Sequence, residues 1–138
     1  DGKMFSESAQ VFTTASSIPI SSISPEPSKK HLEIREILSQ VTSTLVLLDD
    51  GKMIEANSSS SNVIIVPFNS GVAFPIGTAI VITQTGSGQT MIEGNSNISG
   101  GLVTVNGTPG LKLRTQWSLA TLIKRDTDVW VLAGDVVA

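Results

Sequence analysis

The feature that most constrains this chain is how its apolar residues are spaced after Thr44. They come in short runs, TLVLL, MIEA, NVIIV, TAIVIT, TMI, LVTV, SLATLI and DVWVL. Each run is bounded by clusters of Gly, Pro, Asn, Asp or Ser. Runs of this length with β-branched residues and turn punctuation specify strands, because a core helix needs a longer segment with a 3.6-residue period. The expectation is an all-β domain of about eight to nine short strands over residues 44–138, folded as a compact antiparallel sandwich or small barrel.

Two hairpins are expected within it on turn chemistry. TLVLLDDGKMIEAN would fold back at Asp50-Gly51, and TAIVITQ would pair with QTMIEG across TGSG. The polar segments NSSSSN, FNSGVAFPIG and NSNISGG read as loops, and GTPG as a turn. A third hairpin closes the chain, WSLATLIK and DVWVLAGD joined at Arg125–Asp128. It holds both tryptophans, Trp117 and Trp130, which with Ile123 and Leu132 are expected to close a core or an inter-subunit contact. Several runs are apolar on both faces, notably Val63–Val66, Ile80–Ile82 and Val129–Leu132. A one-sided antiparallel sheet would alternate more cleanly, so another copy of the chain is expected to cover one face.

Residues 1–30 are of another kind. SESAQVFTTASSIPISSISPEPSKK is rich in Ser and Thr, with Pro19, Pro25 and Pro27, and its apolar residues are sparse. Such a segment cannot bury enough surface to order itself, and its prolines favour an extended backbone. It is expected to be an attachment arm that docks on another protein, with Phe5, Phe12 and Ile20 as anchors. Residues 31–43 then form a linker or short helix. KKHLEIREILSQV offers a partial helical stripe through Leu32, Ile34, Ile37, Leu38 and Val41, although the alternation of Leu32 and Ile34 leaves a strand open.

Composition removes several functions. Charged residues are 15% of the chain, net charge is −3, and aromatic residues are 4%. That gives neither the basic footprint nor the stacking surface of a nucleic-acid binder. With no cysteine, disulfides, thiol catalysis and thiolate metal sites are absent. His31 is the single histidine, so a zinc site would depend on carboxylates. The acidic pairs Asp49-Asp50 and Asp126/Asp128 fall in turns, where Asp is favoured for bonding its own backbone. Gly86-Ser87-Gly88 lacks the lysine and helix of a phosphate loop. No catalytic residue, cofactor or metal is expected, and no membrane-spanning run occurs. The first residues carry no signal-peptide pattern. Opening on Asp1 without an initiator methionine suits a processed chain or a piece of a longer one.

Four blocks of the sequence, LVLLDDGKMIEAN, VIIVPFN, FPIGTAIVITQTGSGQTMI and LKLRTQWSLATLIKRDTDVWVLAGD, resemble a β-domain of tailed-bacteriophage virion proteins. That module recurs in tail fibres and in capsid decoration proteins, and the likeness runs from about Thr44 to Val137. Trp117 departs from the pattern, which has a tyrosine there, and Ile98–Gly101 looks like a longer connection. The resemblance implies a non-enzymatic structural protein of the virion, and fibres of this kind are usually trimers. A short chain carrying an arm suits a homotrimeric decoration or cement protein. Its arm would bind the major capsid protein or another virion protein. The alternative is a tail-fibre or receptor-binding module whose partner is a host glycan.

Overall fold

The computed structural model describes residues 31–138. The expected attachment arm, with Phe5, Phe12 and Ile20, lies outside the described residues. Eleven strands follow in order: β1 (Ile34–Leu38), β2 (Thr42–Thr44), β3 (Met53–Asn57), β4 (Asn62–Val66), β5 (Ala79–Gln84), β6 (Thr90–Gly94), β7 (Thr104–Gly107), β8 (Lys112–Leu113), β9 (Leu119–Asp126), β10 (Val129–Gly134) and β11 (Val136–Val137).

The all-β expectation matches this, but the architecture is a β-solenoid of about four turns, not a sandwich or barrel. The strands alternate between two sheets, ordered β1-β3-β5-β9-β10-β7 and β11-β8-β6-β4-β2. Each early turn lays one strand on each sheet, in parallel with the strand of the turn before. β1, β3 and β5 are parallel neighbours in the first sheet, as are β2, β4 and β6 in the second. The parallel stack stops where β9 runs antiparallel to β5 and β8 antiparallel to β6.

Two of the three expected hairpins are therefore absent. Met53–Asn57 pairs with β1 and β5, not with Leu45–Leu48. Leu47–Asp49 is a short 3-10 turn. TAIVITQ and QTMIEG belong to different sheets, and the TGSG segment is the corner between them. The reason is visible in the glycines. A Cβ on Gly86 would lie 2.3 Å from the Ser58 carbonyl oxygen, and one on Gly88 2.1 Å from that of Ser60. The two glycines let successive corners stack backbone on backbone. The third hairpin does form, β9 and β10 being antiparallel with a register shift at Val129/Trp130.

The helix expected within residues 31–43 is replaced by β1 and β2. Ile37 points inward and is buried, whereas Ile34 and Leu38 point outward and are exposed. The apparent helical stripe is thus split between two faces of a strand, and pairing with β3 decides the outcome. The compact unit accordingly runs from Leu32 to Ala138, so the expected linker is its first turn.

Inward side chains stack in register from turn to turn. Ile54, Ile82 and Ala120 form one row across the first sheet, and Ile80, Leu122 and Leu132 another. Ile64, Ile92 and Leu113 face them from the second sheet. All nine are essentially inaccessible. Phe74 and Trp130 close one side of the core edge to face, their ring centroids 5.5 Å apart at 88°. The two-sided apolar runs are explained in part by this parallel stacking, whose strands read as near-continuous apolar sequence.

Candidate interaction surfaces

The first turn leaves both sheets with an open edge among the described residues, because β1 and β2 stand at the ends of their strand orders. It is also unusually apolar outside. Of the thirteen large hydrophobic residues exposed among the described residues, seven lie between Leu32 and Leu48, including Leu38, Val41 and Leu48. Terminal repeats of solenoids normally present a polar outer face, and this one does not.

The outer face of the first sheet continues the pattern. Register places Ile34, Met53 and Val81 in one row and Ile123 beside Val131 in the next. Ile34 is 59% and Ile123 41% exposed, and Met53, Val81 and Val131 are half-buried. Glu36 and Glu55 border this stripe. Of the residues expected at an interface, Ile123 therefore lies on a free face. Trp130 and Leu132 are buried in the core of the chain itself.

Trp117, grouped with Trp130 by sequence, lies elsewhere. It is outside β9, 69% exposed, and its φ is +72°. Left-handed backbone is unfavourable for a bulky side chain, at roughly 1–3 kcal/mol. The conformation is held from several sides. The Trp117 N–H donates to the Gln84 carbonyl at 2.6 Å. The Gln116 amide donates to the Thr85 carbonyl at 2.9 Å. Arg114 forks onto Asp135, Nε to Oδ1 and Nη2 to Oδ2, both at 2.8 Å. The Ser118 hydroxyl donates to Asp135 Oδ2 at 2.7 Å. The hydrogen bonds from Arg114 and Ser118 hold the Asp135 carboxyl below the ordinary carboxylate range.

The acidic pairs do not converge on a common centre. Asp49 is buried and accepts from Arg35 and from the Val46 N–H. Asp128 accepts from the Asn69 N–H, and Asp126 from the Thr127 N–H. No group of three or more His, Cys, Asp or Glu able to hold a metal occurs among the described residues. Sequence reasoning missed Lys124. It sits inside an apolar run and is 3% exposed. Its ammonium donates to Asn69 Oδ1 and to the Phe74 carbonyl, 6.0 Å from the Trp130 ring centroid. A charged residue on the inward phase of the β9 alternation was the available signal.

Two shallow grooves of about 350 Å³ each occur, one along Asn106–Thr108 and Val131–Gly134, the other over Asn62, Val63, Gln89, Met91 and Lys112. Neither gathers groups suited to catalysis. No helix among the described residues is long and apolar enough to cross a membrane. Neither the protein-family models nor the curated proteins contain a match to this chain.

Proposed function

We propose that this chain is a structural protein of a tailed-phage virion, a homotrimer that decorates or cements the particle surface. The reading is supported by the four sequence blocks that resemble that class of β-domain. The observation that carries its assembly is the apolar outer face of the first sheet, running from Ile34 through Met53 and Val81 to Ile123. A chain with 15% charged residues and such a face gains by burying it against copies of itself. In this reading three copies associate through that face, and residues 1–30 attach the trimer to the major capsid protein or another virion protein. The protein acts by binding, without cofactor or catalysis.

The test is attachment to particles. The full chain should saturate particles stripped of it, and a variant lacking residues 1–30 should remain folded and fail to attach. Saturation by the truncated chain would refute the role given to that segment. A second reading, a tail-fibre module that contacts the host, is favoured by one observation, the outward display of Trp117.

A further inference from the structure

We propose that the solenoid corner carrying Trp117 is a binding site for neutral carbohydrate, with the indole as the platform on which a pyranose ring stacks. The inference is independent of trimer formation. It starts from an exposed tryptophan in left-handed backbone, fixed by hydrogen bonds from Trp117 and Gln116 to Gln84 and Thr85 and by the Arg114–Asp135–Ser118 cluster. Nothing in the core requires that side chain, since Phe74 and Trp130 already fill the aromatic positions. The backbone that carries this amphipathic ring is held in place before binding, and an indole has only two side-chain torsions to lose when a ligand arrives.

The surroundings match the other half of a sugar's chemistry. Three corners stack along this side of the solenoid, Ser58–Ser61, Thr85–Gln89 and Arg114–Ser118. Gly86 lies against Ser58 and Gly88 against Ser60, and Gln116 bridges to Thr85. Successive turns are about 4.8 Å apart, so the corners form one continuous ridge. Its exposed side chains include Ser59, Ser60, Ser61, Ser87 and Gln116, hydroxyls and an amide without charge. The charges of Arg114 and Asp135 are spent on each other. An apolar platform beside neutral donors and acceptors suits the C–H face and the hydroxyls of a pyranose. It suits a nucleic acid less well, because the only cations beside the ridge among the described residues are Arg114, paired with Asp135, and Lys112 at its far edge, too few for a phosphate backbone.

The other polar connection, residues 95–101, does not belong to this ridge. Residues 57–62 connect the first sheet to the second, and 95–101 connect the second back to the first, so they lie along opposite sides.

The test uses the labelled full chain on an array of neutral oligosaccharides built from hexose, N-acetylhexosamine and deoxyhexose units. Trp117→Gly is the informative variant, because glycine accepts the left-handed backbone and the fold is expected to survive. Circular dichroism and thermal unfolding verify that it does. The wild type should bind at least one glycan class, and Trp117→Gly should lose at least tenfold in affinity with unfolding unchanged. Absence of binding by the wild type overturns the proposal, as does equal binding by the variant. If Trp117→Gly instead changes the mass of the assembly and no glycan binds, Trp117 is a subunit contact and the carbohydrate site does not exist.

Discussion

Arg35 and Asp49 join the first strand to the corner that leads into the second turn, Nε to Oδ1 at 2.7 Å and Nη2 to Oδ2 at 2.8 Å. Asp49 is completely buried, and Arg35 keeps a third of its side chain in solvent. The fork fastens an end turn that, among the described residues, has neighbours on one side only. Replacing Arg35 with Met leaves a buried carboxylate with one backbone donor. Losing one partner of a buried pair costs about 3–5 kcal/mol, and the partial exposure of Arg35 places this case near 3. Urea unfolding of Arg35→Met measures it; a change under about 1 kcal/mol would show that the first turn is not held by this pair.

Lys124 ties the 67–78 loop to the hairpin that ends the stack, through Asn69 and the Phe74 carbonyl. Lys124→Met keeps the stem and removes the donors. Leaving a buried carbonyl unpaired costs roughly 1–3 kcal/mol. Hydrogen exchange should also rise in the 67–78 loop and not at β3 or β4. Uniform loss of protection would contradict a local latch.

The Arg114–Asp135 pair gives the Trp117 loop a pH dependence of definite sign. Asp135 has a depressed folded pKa, so the stability it lends is present above its unfolded pKa and is lost as pH falls through the folded value. The loop should stay closed at neutral and mildly acidic pH and loosen below the ordinary aspartate value of 3.8. Carbon-detected NMR titration of the Asp135 carboxyl should give a midpoint under that value. An ordinary or raised midpoint would show that the fork with Arg114 is not maintained in solution.

Gly86 and Gly88 distinguish a stacked corner from a hairpin tip. An alanine methyl at Gly88 would meet the Ser60 backbone, which cannot move without disturbing the adjacent turn. Gly88→Ala should cost about 3 kcal/mol or more, measured by thermal or urea unfolding. In a free hairpin loop the same change would be nearly silent.

Strand content was readable from the sequence, and strand connection was not. TGSG between two apolar runs has the same composition whether the second run folds back beside the first or crosses to the opposite sheet. What separates the two is pairing at a distance. Met53 pairs with Val81 and Asn62 with Thr90, an offset of 28 residues in both sheets. The preceding turn is shorter, with Ile34 paired to Met53 and Thr42 to Val63 at offsets of 19 and 21, so no fixed period marked the stacked turns in the sequence. In the first turn, Ile34, Ile37 and Leu38 satisfy a helical stripe as well as a strand, and only long-range partners such as Met53 and Asp49 decide between them. Trp117 was expected at a core or an inter-subunit contact because it opens the alternating run WSLATLIK. The bond from its N–H to Gln84 and its positive φ turn it outward before the strand begins.

Multi-angle light scattering of the purified full chain tests the central claim, that the protein works as an assembly built on the outer face of its first sheet. The prediction is a mass three times that of one chain, falling to a single folded chain when Ile123 and Val81 are both replaced by Lys. A wild-type protein that remains a stable monomer at micromolar concentration would contradict it.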